Sequence, residues 1–295
     1  MRVALSKDRQ ESAISQDKPE MALLPGLCCL AGGGEASWAD HIAAAWQLFY
    51  AAADIMDSLQ DQDAPASWWA DLGPAAALSA STGLFFSAAS LLDQARALQA
   101  PGGTAPDLTR DFYSCFMTMS SGQYQDLRQS EPSIERYWEI ASAKSGAFFS
   151  LACRSGARLA VGDDPRIENY GQFGRHLGLL MQILDDLEDL QFLTQPTAPI
   201  HMGALTHSLP VIYTLQMVPP GAQEKLQACL RNAAGDPGSA KDAAQIIEGS
   251  GAVIYLLSEI ERHKSLAADH LIKAKAQSPA REALQGYLER LVSFP

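Results

Sequence analysis

Two runs of this chain concentrate side chains able to do chemistry, and both are aspartates on helical spacing. In the run from Tyr50 to Asp63, Asp54, Asp57 and Asp61 stand at i, i+3 and i+7, within about 60 degrees of one another on a helix. In the run from Met181 to Leu190, Gln182, Asp185, Asp186 and Asp189 share a face about 100 degrees wide. Neither run has a Lys or Arg one turn away. Like charges at that spacing cost a few tenths of a kcal/mol per pair, and surface helices relieve them with interleaved bases. Two clusters without internal counter-ions argue against a merely solvated acidic surface and for external cations. The donors are all oxygen, with no Cys or His, which suits a hard divalent ion. Mg²⁺ keeps several waters and takes one or two carboxylates plus phosphate oxygens, so two facing Asp surfaces can clamp a diphosphate. The predicted metal face comprises Asp54, Asp57, Asp61, Asp185, Asp186 and Asp189, with Asp57, Asp61 and Asp185 set at the reacting end. The chemistry that fits is ionisation of an allylic diphosphate, with metal stabilising the departing charge and apolar walls keeping water from the carbocation.

The charge map sharpens this. The 295 residues hold 22 Lys and Arg against 34 Asp and Glu, a formal net charge of -12, which argues against a nucleic-acid groove. From Pro19 to Ala95 there are nine acids and no base, and from His176 to Glu224 five acids and no base. The acidity is therefore two local features that coincide with the two clusters. A 47% hydrophobic composition fits a globular chain. The five Cys show neither disulfide nor zinc spacing, which fits the cytoplasm. Residues 1–20 mix both charge signs and read as a polar segment rather than a signal peptide or anchor. Ala75 to Leu92 is uncharged, but it is short and dotted with Ser and Thr, so it is predicted to be a buried helix and not a membrane span.

The elements that must carry these clusters are helices. Strand alternation and hairpin turns are scarce, whereas helical periodicity predicts helices over 38–62, 74–99, 107–128, 133–161, 166–193, 207–216, 221–233, 240–247, 251–274 and 279–292. Short breaks and the absence of a linker predict one all-α domain over residues 21–295, a bundle around a central apolar cavity. Gly32-Gly33-Gly34 follows no strand and precedes no Lys-Ser or Lys-Thr, so it reads as a turn.

With these residues in view, the chain from about Leu24 to Tyr213 resembles the trans-isoprenyl diphosphate synthase family. Gln182-Ile-Leu-Asp185-Asp186-Leu-Glu-Asp189 is similar to the family's second aspartate motif. Tyr137-WEIASA-Lys144-Ser145-Gly146 resembles the helix whose Lys-Thr pair meets the substrate diphosphate, and Gly122-Gln123-Tyr-Gln-Asp126-Leu127 resembles its Gly-Gln-x-x-Asp-Leu. The resemblance implies an isoprenoid-synthase helical bundle, Mg²⁺ in three ions, a homodimer, a catalytic role for Lys144 and substrate contacts from Gln123, Lys144 and Gln182.

The first motif departs from the pattern. Counted from Gln47, where the family has Glu, it reads Asp57-Ser58-Leu59-Gln60-Asp61; the other register begins at Ala53. Asp54-Ile-Met-Asp57 also resembles the branch that prenylates a Trp in a bacterial peptide. Basic residues that the family uses for isopentenyl diphosphate are missing: the N-terminal loop reads Met21-Ala-Leu-Leu24-Pro25, no Arg follows the first motif before Arg96, and Thr206 replaces a Lys. A second diphosphate needs positive charge near it. The expectation is therefore a class I terpene synthase ionising one C15 or C20 diphosphate. The alternative is a prenyltransferase, delivering the cation to a peptide or other acceptor or elongating a polyprenyl chain.

One turn deeper than Asp57 lie Ala53 and Ala52, and two turns deeper lie Tyr50 and Phe49, which would floor the pocket and contact the substrate tail; ordinary core packing is the competing reading. Phe85, Phe148, Phe149, Phe173 and Tyr213 are further core or cation-facing rings. Arg154 and Arg158 suit salt bridges or a diphosphate clamp. His176 and His207 read as structural, and Trp68 and Trp69 as a lid or partner surface.

Overall fold

The computed structural model describes residues 21–61, 70–97, 108–128, 132–162, 165–194, 205–233 and 235–292. Every regular element among them is helical. In chain order they are α1 (Leu24–Ala31), α2 (Asp40–Gln60), α3 (Pro74–Ala97), α4 (Leu108–Leu127), α5 (Ile134–Ala141), α6 (Ala147–Val161), α7 (Arg166–Thr194), α8 (Leu209–Met217), α9 (Pro220–Asn232), α10 (Pro237–Gly249), α11 (Ala252–Lys273) and α12 (Ala280–Leu291). The all-α bundle expected from periodicity is what forms. The polar 1–20 segment, Trp68 and Trp69 lie outside the described residues.

Proline and capping residues set the starts. Pro210, Pro220 and Pro237 occupy first-turn positions of α8, α9 and α10, where a missing N–H costs nothing. Ser133 caps α5 by accepting from the Arg136 N–H at 3.1 Å. The Gly32-Gly33-Gly34 segment is a turn after α1, with Gly33 at φ +95, which only glycine adopts freely.

α7 is the central element. Tyr170, Phe173, Leu177, Leu180 and Ile183 are fully buried along it, and it packs on α6 and α11. One core cluster joins α1, α2, α6, α7, α11 and α12, and a second joins the end of α7 to α8, α9 and α10. Asp54 and Asp57 sit on α2, with Asp61 at its C-cap, and Asp185, Asp186 and Asp189 sit on α7; Asp63 lies outside the described residues.

The structure corrects the sequence reading at three places. The loop expected at Met21 to Pro25 is partly helix: Leu24 and Pro25 open α1, an eight-residue helix buried against α6, with Pro25 in its first turn where a missing N–H is tolerated. The continuous helix expected over 133–161 is interrupted by a π-helical turn, Ser142–Gly146. The third is α3, expected to be buried. It packs on α2 by one face, but most of its apolar stretch Pro74–Gln94 is left unburied, and Phe86 is 73% exposed. By length and composition α3 passes as a helix able to cross a membrane, yet its contact face is built into the bundle: Ser81 donates to the Ala52 carbonyl at 2.7 Å.

Candidate active site

The first aspartate face lies at the C-terminal end of α2, with Asp57 in its last turn and Asp61 at its C-cap. The helix dipole is negative there and no base occupies that last turn, so the dipole adds to the charge of the carboxylates and favours cations. Asp185 and Asp189 project from α7. Burial pushes the pKa of the Tyr50 hydroxyl up, and the charges of Asp54, Asp185 and Asp57 push it further.

Lys144 enters this region from the π turn. Its Nζ lies 3.0 Å from Asp126 Oδ2 on α4 and 3.2 Å from Asp57 Oδ1 on α2. Burial pulls the ammonium pKa down, but Asp57 and Asp126 outweigh it, leaving it above the ordinary lysine value. A single-turn π segment inside an α-helix often marks a functional site, and here it carries the cation. Glycines permit the approach. A Cβ on Gly178 of α7 would clash with the Ser145 carbonyl oxygen and lie 3.0 Å from the Gly146 nitrogen, and one on Gly122 of α4 would lie 3.2 Å from Lys144 Cγ.

Gln123 and Asp126, one turn apart on α4, both face this site. Gln123 Nε2 donates to Asp61 Oδ1 at 3.2 Å, while its buried Oε1 has no hydrogen-bonding partner among the described residues. Ser145 Oγ donates to Gln182 Oε1 at 3.1 Å, tying the π turn to α7. Three polar contacts thus stand around the π turn: Gln123 with Asp61, Lys144 with Asp57 and Asp126, and Ser145 with Gln182.

Asp186, expected among the metal ligands, is engaged by the protein itself. It is 4% exposed, and its Oδ2 accepts from the Tyr137 hydroxyl at 2.7 Å and from the Leu209 N–H at 2.8 Å. Burial raises its pKa to about 7 against the lowering effect of those two bonds. It sits at the inner edge of the 100-degree arc, where α7 meets its neighbours, whereas Asp185 is exposed. Sequence reasoning gave Tyr137 and Asp126 no role; their helical offsets from Lys144 and Gln123 were the available signal.

Phe49, 4% exposed, touches Phe85, Phe112, Phe116 and Phe148 with centroids 5.6 to 6.3 Å away, and Tyr50 meets Phe148 at 5.7 Å. This aromatic cluster lies directly below the first aspartate face on α2. Other candidates resolve differently. Tyr213 stacks on Tyr255 at 4.6 Å in the second core cluster, and Phe173 is fully buried in the first. Arg158 is ion-paired with Asp111 and Arg154 with Glu168, the salt-bridge alternative. His176 meets His263, Nδ1 to Nδ1, at 2.9 Å. A depression of about 460 Å³, lined by Thr118, Trp138, Ser142 and Arg175 among others, lies against the π turn.

Among the described residues no three His, Cys, Asp or Glu side chains stand close enough to enclose an ion by themselves. Mg²⁺ does not require that: it takes one or two carboxylates and completes its shell with water and phosphate oxygens. An all-oxygen donor set carried on two helices fits that ion.

Comparison with known proteins bears on this arrangement. A family model described as polyprenyl synthetase matches residues 22–247. Geranylgeranyl pyrophosphate synthase 2 of Zymoseptoria tritici is 27% identical over 199 residues, covering 63% of this chain and 58% of that protein. A short chain isoprenyl diphosphate synthase of Methanothermobacter thermautotrophicus is 30% identical over 155 residues, covering 51% of this chain and 46% of its own. The chain thus spans about half the length of these curated relatives. The crystal structure of a polyprenyl synthase from Caulobacter crescentus, complexed with calcium and isoprenyl diphosphate, superposes with a TM-score of 0.80 at 21% identity, covering 94% of this chain and 85% of that one. At that identity the likeness speaks for the fold.

Proposed function

The chain belongs to the polyprenyl synthetase family, its family model matching residues 22–247, and from that premise we propose that it is a Mg²⁺-dependent prenyltransferase acting on an allylic isoprenyl diphosphate. The observation that carries this reading is convergence at the π turn: Lys144 Nζ meets Asp57 of the first face at 3.2 Å, while its neighbour Ser145 donates to Gln182 of the second at 3.1 Å. Asp57 and Asp61 on one side, with Asp185 and Asp189 on the other, would hold Mg²⁺, which supplies positive charge to the departing diphosphate. Asp54 extends the first face by one turn.

The chain's own residues do the remaining work. Lys144 is kept protonated by Asp57 and Asp126, and it donates to a diphosphate oxygen as the C–O bond lengthens, so that it stabilises charge more in the transition state than in the ground state. Gln123 and Gln182 orient the Asp61 carboxylate and the π turn. Phe49, Tyr50 and Phe148 exclude water from the carbocation and face it with aromatic rings. The floor they form suits a C15 or C20 tail. The exposed apolar face of α3 supports a homodimer, and five buried free Cys suit the cytoplasm.

The curated relatives are named as prenyl diphosphate synthases, which favours isopentenyl diphosphate as the acceptor. One observation favours a second reading, a terpene synthase that uses a single diphosphate: no Lys or Arg lies between Pro19 and Ala95, so little is left there to hold a second diphosphate. Incubation with Mg²⁺ and C10, C15 and C20 diphosphates, with and without isopentenyl diphosphate, tests both. Longer diphosphates only with isopentenyl diphosphate support elongation. Hydrocarbons or alcohols without it support the second reading. No diphosphate release from any of them refutes the proposal.

A further inference from the structure

Asp186 stands in the middle of the second aspartate motif, and its surroundings are those of a structural junction. One oxygen, Oδ2, accepts both the Tyr137 hydroxyl at 2.7 Å and the Leu209 N–H at 2.8 Å. Tyr137 is on α5, Asp186 on α7, and Leu209 is the first residue of α8, so one atom joins three helices. Among the described residues the other oxygen has only Gln182 Nε2 at 3.5 Å, the limit of a hydrogen bond. Each partner needs this oxygen. Ser208 precedes α8 but makes no cap bond to it, its hydroxyl going to the Leu205 carbonyl, and Pro210 has no N–H, so Asp186 caps α8 from another helix. Tyr137 is 7% exposed, and its hydroxyl needs an acceptor. It is seven residues before Lys144 along α5 and the π turn, and Asp186 directly follows Asp185. The junction therefore fixes the element carrying Lys144 against the element carrying Asp185 and Asp189.

We infer that Asp186 is a positioning residue and not a metal ligand: with Tyr137 and the Leu209 N–H it locks α5, α7 and the start of α8 so that Lys144 and the Asp185–Asp189 face meet the same diphosphate. This rests on the metal-dependent reading above. Asn at 186 keeps an oxygen able to accept both bonds but removes the charge that a metal ligand supplies, so the two roles separate cleanly.

The experiment compares D186N, D186A, Y137F, the Y137F/D186A double variant and D185N. The melting temperature is read in the apo state and with Mg²⁺ plus inorganic diphosphate, alongside kcat, KM and the Mg²⁺ concentration for half-maximal rate. D186N is expected to keep the wild-type Mg²⁺ response and ligand-induced stabilisation, whereas D185N loses both, with kcat falling about a hundredfold or more. D186A and Y137F are expected to melt lower, and D186A to lose about ten- to a hundredfold in kcat as a supporting residue does. Their effects are expected to be non-additive in the double variant. A wild type that responds to Mg²⁺ and diphosphate, with D186N failing as D185N does, overturns this inference alone; so do additive Y137F and D186A effects. A wild type that neither responds nor turns over any prenyl diphosphate overturns the functional reading and the positioning role together.

Discussion

Replacing Lys144 by Met removes the charge while keeping most of the apolar stem, and the geometry separates its effects on stability and on rate. In the resting protein the ammonium pairs with Asp126 at 3.0 Å and Asp57 at 3.2 Å; Lys144 is 20% exposed, and its partners are 26% and 46% exposed. Partners that open to water are solvent-screened, and such pairs contribute about 1 kcal/mol or less each. The melting temperature should therefore fall by only about 2–4 °C per kcal/mol lost. In the proposed reaction the same ammonium would face the charge developing on the leaving diphosphate. Removing one preorganised donor there costs about 10²- to 10³-fold in kcat, or about 3–4 kcal/mol. The rate loss should thus exceed the stability loss by roughly 1 kcal/mol or more. Single-turnover diphosphate release at saturating Mg²⁺, set beside a thermal melt, measures both. A loss below tenfold, a loss confined to KM, or one matched by the unfolded fraction would refute the reasoning, because Lys144 would then only help the fold or bind substrate and transition state equally.

Gly178→Ala forces a Cβ into the Ser145 carbonyl; we expect about 1–3 kcal/mol of destabilisation and a kcat loss as Lys144 shifts, and an unchanged kcat would show that the π turn has slack. Phe49→Ala empties a site contacted by four aromatic rings, costing about 3–5 kcal/mol and admitting longer prenyl tails; competition between C15 and C20 diphosphates is the readout, and an unchanged preference counts against the floor. His176 and His263 meet in the seam between α7 and α11, faced by His270, Trp138, Arg175, Arg262 and Glu259. Burial first, then neighbouring His270 and Arg175 for His176 and Arg262 for His263, lower their pKa values to about 4 and about 3, and Glu259 at 3.7 Å from His263 does not reverse this. Unfolded histidine protonates near 6.5, so this contribution is full above about pH 6.5 and is lost as pH falls toward about 4. Melts across that range should show the wild type losing stability faster than His263→Gln, and parallel curves would contradict it. Chelation by EDTA should abolish turnover and Mg²⁺ restore it; activity in its presence would remove the metal role.

Much of this was legible in the chain itself, because helical periodicity is local: a 3.6-residue repeat puts Asp54, Asp57 and Asp61 on one face whatever the tertiary context. The same arithmetic grouped Asp185, Asp186 and Asp189, but it could not say that the inner edge of that arc is closed by Tyr137 and the Leu209 N–H, so it counted Asp186 with the ligands. α3 shows the opposite limit, since composition marks a helix as apolar and only its neighbours decide whether that apolar surface is covered. The π turn was invisible because one altered backbone turn leaves hydrophobic spacing almost unchanged, yet it aims Lys144. Residue types and spacing determined the helices, the two acidic faces and the oxygen-only donor chemistry. Only the tertiary structure decided which carboxylates face the site and which bind the frame. Gln123 reaches Asp61 across 62 residues and Tyr137 reaches Asp186 across 49, and contacts that distant in sequence are fixed by how helices pack, at glycines such as Gly178 where two backbones touch.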